Sequence, residues 1–141
     1  MLRKLFYLVI LSGFVLYSSA KAEDILPVKE VRCSPNQLVC RVGVHTLSSD
    51  VSQLVVGDGV VCTPNRKICS NGYRTIHSTE EIILADKHTL CSKSLKVCAI
   101  GRHVLRSNSA PLYINEGIVC SPDRKTCSNG LKYTRSTKPL F

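Results

Sequence analysis

Eight cysteines set the frame of this 141-residue chain. They stand at Cys33, Cys40, Cys62, Cys69, Cys91, Cys98, Cys120 and Cys127, so the spacing alternates strictly between 7 and 22 and the pattern has a 29-residue period. Extended outward from each first cysteine, that frame gives units 25–53, 54–82, 83–111 and 112–140. A repeat of this length is usually one supersecondary unit that buries its apolar face only against a neighbour. Gly43, Gly72, Gly101 and Gly130 keep the frame, as do Ser49, Ser78, Ser107 and Ser136. Alternate units are most alike. Cys62 to Gly72 returns as Cys120 to Gly130, and Gly43-Val44-His45 returns as Gly101-Arg102-His103. The larger duplication therefore spans two units, a 58-residue period.

Within a unit, β-branched runs flank turn residues. Leu54-Val55-Val56, Gly57-Asp58-Gly59 and Val60-Val61-Cys62 read as strand, turn, strand, and Leu112 to Cys120 repeats the pattern. Thr63-Pro64-Asn65-Arg66 and Ser121-Pro122-Asp123-Arg124 suit type I turns, because proline presets the second position and Asn or Asp fits the third. A third strand then carries Ile68-Cys69. A loop at 64–67 places Cys62 across from Cys69, close enough for a disulfide in a non-hydrogen-bonded pair. Neighbour bridges Cys33–Cys40, Cys62–Cys69, Cys91–Cys98 and Cys120–Cys127 are expected, with pairing between units as the alternative. No stretch after residue 22 has a sustained helical period with caps. The expected fold is all-β: four tandem 29-residue disulfide-clipped hairpin units arranged as two pseudo-symmetric halves, 23–82 and 83–141.

So many cysteines presuppose an oxidising compartment, and the N-terminus is consistent with one. Arg3 and Lys4 precede an apolar run from Leu5 to Tyr17, interrupted only by Ser12 and Gly13, and Ala20 and Ala22 stand where signal peptidase reads small residues. The run is shorter than the about 20 residues a spanning helix needs, so residues 1–22 read as a signal peptide cleaved after Ala22, leaving no transmembrane segment. Periplasmic or secreted localisation follows. The mature chain keeps 16 of the 19 Lys and Arg and all 10 acidic residues, a net charge of +6.

Catalytic and metal chemistry find little support. Structural zinc prefers cysteines separated by two to four residues, whereas six separate these, so no metal and no cofactor is expected. There is no Cys-x-x-Cys, Gly-x-Ser-x-Gly, His-Glu-x-x-His or glycine-rich phosphate loop, and an enzyme is not expected. His45 and His103 share a frame position and read as locally hydrogen-bonded strand residues. The other two units place Arg74 and Lys132 there, on the strands after the hairpin tips. With no Trp and few other aromatics, the chain lacks stacking platforms for bases or sugars, and no specific nucleic-acid motif is present.

Charge at defined places is the functional signal that remains. Arg66-Lys67 and Arg124-Lys125 occupy equivalent hairpin tips and are the expected anion-binding residues. The segments Gly59-Val60-Val61-Cys62 to Cys69 and Gly117-Ile118-Val119-Cys120 to Cys127 resemble the small exported enterobacterial proteins grouped as Fels-prophage-protein-like. Those proteins carry a Gly-Val-x-Cys lead into a cysteine pair with six residues between. This chain departs from them in its Ser-Asn-Gly after the second cysteine and in having four pairs. The resemblance implies export and disulfides, and nothing about activity. The expectation is a non-enzymatic binding or accessory module whose basic surface meets an envelope polyanion or an acidic protein. The alternative is an inhibitor or toxin-like effector that docks on another protein through its hairpin tips.

Overall fold

A computed structural model describes residues 26–141; the expected signal peptide and its cleavage point lie outside the described residues. The described chain is all-β. Unit 1 is a three-stranded meander of β1 (Val31–Cys33), β2 (Val39–Val42) and β3 (His45–Ser48). Unit 2 has four strands: β4 (Val55–Gly57), β5 (Val60–Cys62), β6 (Ile68–Ser70) and β7 (Thr75–His77). Unit 3 runs β8 (Ile82–Asp86), β9 (Thr89–Ser92), β10 (Val97–Ile100) and β11 (His103–Arg106). Unit 4 runs β12 (Tyr113–Asn115), β13 (Ile118–Cys120), β14 (Thr126–Ser128) and β15 (Tyr133–Arg135). Every strand pair is antiparallel.

The four bridges join neighbouring cysteines, as expected. Cys62 faces Cys69 with Cα atoms 4.1 Å apart, the close spacing of a non-hydrogen-bonded pair. The turn between them is the expected one: Arg66 N–H donates to Thr63 O at 2.8 Å, and Thr63 Oγ1 donates to Asn65 Oδ1 at 2.7 Å. It closes on a left-handed residue in every unit, with φ of 58° at Gln37, 56° at Arg66, 61° at Leu95 and 60° at Arg124.

The first turn of units 2 and 4 is shorter than expected. Gly57 pairs with Val60 and Asn115 with Ile118, so only Asp58-Gly59 and Glu116-Gly117 form the loops. Arg74 and Lys132 sit immediately ahead of β7 and β15 rather than on those strands. The repeated serines act alike. The N–H groups of Ser49, Ser78, Ser107 and Ser136 donate to Leu38, Lys67, Lys96 and Lys125 carbonyls, each at 2.8 Å. Their hydroxyls accept N–H groups two residues on, which turns the chain toward the next unit.

Units stack in sequence order. Cys40, Val42 and Leu47 pack on Leu54 and Val61; Cys62, Cys69 and Ile76 on Ile82, Leu90 and Ala99; Cys98, Ile100 and Leu105 on Leu112 and Val119. The middle junction is built like the outer two, so apolar packing continues across the boundary between the two halves. Both ends of the stack turn polar. Positions filled by Val61, Leu90 and Val119, all at most 3% exposed, are held in unit 1 by Arg32, which is exposed. Likewise Leu47, Ile76 and Leu105, all buried, give way to exposed Thr134 in unit 4. Polar outer faces are what terminal repeats of a stacked array require.

Candidate functional site

The two hairpin tips are equivalent in backbone and different in chemistry. Arg66 lies 3.9 Å from Glu81, with both side chains about half exposed. Arg124 is tied down more firmly: its Nη1 donates to Phe141 O at 3.0 Å, and its guanidinium lies 4.2 Å from the centre of the Tyr113 ring. Its carbonyl accepts Leu140 N–H at 2.9 Å, so it anchors the C-terminal segment over unit 4. Lys67 and Lys125 are exposed and form no ion pair among the described residues. Among the described residues no hydrogen bond or ion pair joins one tip to the other. The structure thus divides the four expected residues into two free ammonium groups, one guanidinium in a loose contact with Glu81 and one held by Phe141 and Tyr113.

The histidines carry a different role from the one expected. His45 Nδ1 lies 3.1 Å from Thr75 Oγ1, and His103 Nδ1 lies 2.5 Å from Ser128 Oγ. Both bonds cross to the following unit rather than closing locally. His103 also stacks on Tyr133 at 4.0 Å. Burial holds its pKa below the usual histidine value, and the positive charges of Arg74 and Arg102 push the same way. Protonation is therefore favoured in the unfolded chain, and acidification below the ordinary histidine range works against the fold. These histidines, 58 residues apart, join units 1 and 2 and units 3 and 4 through partners at different frame positions. Among the described residues no group of three or more His, Cys, Asp or Glu could hold a metal ion, and no helix is long and apolar enough to cross a membrane.

One cavity, of about 330 Å³, was not foreseen. Its apolar wall includes Leu26, Val28, Leu90 and Ile100, and its rim carries Asp58, His88 and Glu116. The rim comes from the first turns of units 2, 3 and 4. Asp58-Gly59, Lys87-His88 and Glu116-Gly117 share one frame position, and stacking gathers them on one side. That shared position was the available signal. The rim charges are of both signs, so the cavity does not by itself select an anion.

Asp86 ties two of these turns together. It accepts His88 N–H at 2.9 Å and Gly117 N–H at 3.1 Å. Burial raises its pKa, but these N–H donors, together with the neighbouring Thr89 and His88 side chains, offset that, and the net direction is downward. A carboxylate depressed in the folded state contributes stability above its unfolded pKa, and this is lost as pH falls through the folded one. Asp86→Asn is therefore expected to be less stable than the parent at neutral pH, with the gap closing below about pH 4. Urea midpoints on both sides of that pH check it; a gap independent of pH contradicts it.

No family model, curated protein or solved structure matches this chain.

Proposed function

We propose that this is an exported, non-enzymatic binding or accessory protein whose basic surface receives an anionic partner, after removal of residues 1–22 into the periplasm or medium. Uncompensated charge carries the reading. Of the 16 Lys and Arg among the described residues, 14 are exposed, and only Arg32 and Arg66 form ion pairs. Four disulfides in so short a chain support an oxidising compartment. The likeness to the Fels-prophage-protein-like group, confined to two short segments, points to the same compartment. Docking through the hairpin tips on another protein has less support, because Arg124 is held within the chain by Phe141 and Tyr113.

The lysines at the tips make the test. Lys67→Ser with Lys125→Ser should keep the fold, because exposed charges at turn tips contribute little to stability. This variant should elute from heparin at lower salt than the parent, and earlier than a charge-matched control with Lys87→Ser and Lys96→Ser. The difference should shrink as salt screens the remaining attraction. Retention unchanged in both variants would remove the anionic partner from the proposal.

A further inference from the structure

We propose that the outer edge of β1 is a strand-addition site for an extended, acidic segment of another protein, an inference that rests on the anionic-partner reading and names the partner. Units 2, 3 and 4 each cover the equivalent edge with a strand of their own: β4 on β5, β8 on β9 and β12 on β13. In unit 1, β1 pairs only with β2. The opposite edges, β3, β7, β11 and β15, are open in all four units alike. Among the described residues, only at β1 does the repeat leave vacant a seat that it fills everywhere else.

The residues that should fill it are present but bound elsewhere. Leu26-Pro27-Val28 stands one repeat before Val55-Val56-Gly57. Instead of pairing with β1, this segment crosses to units 2 and 3. Pro27 O accepts Tyr73 Oη at 2.6 Å, and the Lys29 ammonium lies 5.1 Å from the Tyr73 ring centre. Val28 and Leu26 lie so close to Gly59 and Gly101 that a Cβ on either glycine would stand within 2.7 Å of them. The turn differs as well. Gly59 and Gly117 close their hairpins at φ of 69° and 74°, and the residue in that frame position of unit 1 is Glu30. A side chain is disfavoured in that left-handed conformation. Unit 3, with His88 there, makes the connection through a bulge between Leu84 and Asp86.

The vacant seat states its own requirements. Ser34 N–H donates to Val39 O, and antiparallel alternation then directs the N–H and C=O groups of Cys33 and Val31 outward. Neither N–H has a partner among the described residues. The missing strand also uncovers Cys33, which is exposed, whereas Cys62, Cys91 and Cys120 are buried. Opposite the cysteine, the other units place Val55, Ile83 and Tyr113, so an apolar residue fits that slot. Opposite the central residue they place Val56, Leu84 and Ile114 over Val61, Leu90 and Val119. In unit 1 the central residue is Arg32, directly paired with Arg41, and both are exposed. Like charges placed opposite one another repel, and an acidic residue in the incoming strand relieves them. The Arg32–Glu30 contact, 3.3 Å long between side chains 79% and 74% exposed, is easily exchanged. A second copy of this chain paired about a two-fold axis at Arg32 is disfavoured, because it would set Arg32 against Arg32. Main-chain bonds would give affinity and the alternating slots specificity, as in other strand additions.

The test uses the mature protein and the blocked hexapeptide Gln-Leu-Val-Glu-Gly-Asp, which copies residues 53–58 with glutamate in place of Val56. Adding it should slow hydrogen exchange at the Val31 and Cys33 amides. Val31→Pro removes one outward N–H and leaves the β1–β2 ladder intact, and it should weaken the peptide about tenfold or more. Arg32→Glu should lose this peptide and accept its lysine counterpart, a reversal that a folding defect does not produce. Peptide affinity unchanged in Val31→Pro, or Val31 and Cys33 amides already protected in the free protein, would overturn the proposal. Val31→Pro keeps every cation, so its heparin retention should match the parent's. Heparin and peptide results can therefore fail separately.

Discussion

Exchanging Cys91 and Cys98 together for serine is expected to leave the protein largely unfolded near body temperature, whereas the same exchange at Cys33 and Cys40 should leave it folded. Closing so short a loop stabilises by about 2.5 kcal/mol on the chain-entropy model, and that part is common to both bridges. The surroundings differ. Cys91 and Cys98 are fully buried in the cluster that joins unit 3 to unit 4. Serine there puts two hydroxyls among Ile100, Leu105 and Leu112, each costing about 1–3 kcal/mol if left unpaired. The total approaches the whole stability of a small domain. In unit 1 only Cys40 is buried, and Cys33 is exposed because no outer strand covers β1. Thermal unfolding of the two variants reads the difference. Reductant should follow the same order, since a thiolate must reach sulfur to attack it. Alkylation under limiting reductant is expected to label Cys33 and Cys40 first, and prior labelling of Cys91 and Cys98 would contradict this account.

Local chemistry repeated four times is legible in the sequence. A loop of six residues between two cysteines brings them opposite each other, with a proline as in unit 2 or without one as in unit 3, so Cys62 faces Cys69. Strand β7 shows what local chemistry leaves out. Thr75-Ile76-His77 has one apolar residue and no flanking alternation, and it becomes a strand because β6 pairs with it and unit 3 covers Ile76. The departures at unit 1 are of the same kind. Leu26-Pro27-Val28 leaves its own unit, and Glu30 stands where Gly59 and Gly117 close the hairpins of units 2 and 4, a comparison between units rather than a property of the segment. Arg66 and Arg124 lie at turns, as their sequences imply, but Arg124 is held by Phe141, 17 residues along the chain. Nothing in the turn sequence announces that the chain end folds back onto it. The cavity assembles from three turns and the N-terminal segment, and no single stretch of the chain carries its signature.

The frame glycines lead to the second large effect, because stacking brings them into contact in pairs. Gly43 has φ of 58°, and a Cβ there would overlap Gly72 O and stand 3.0 Å from Gly72 C. Gly101 meets Gly130 in the same manner, where Arg102 N–H also donates to Gly130 O at 3.0 Å. In each pair the glycine partner obstructs with backbone atoms, which no side-chain rotation can move aside. Gly43→Ala therefore adds two costs. The left-handed conformation costs about 1–2 kcal/mol for any L residue. Separating unit 1 from unit 2 at this contact strains the packing of Val42 and Leu47 on Leu54 and Val61, and overpacking of this kind costs about 1–3 kcal/mol more. Gly117→Ala isolates the first cost. Its φ of 74° is as restrictive, but a Cβ there has nothing within 4 Å. Gly43→Ala should lower stability by about 4 kcal/mol and Gly117→Ala by about 1 kcal/mol, measured as urea midpoints at constant slope. Equal losses in the two variants would mean that the turns, and not the contact between units, explain why glycine holds the same place in every repeat.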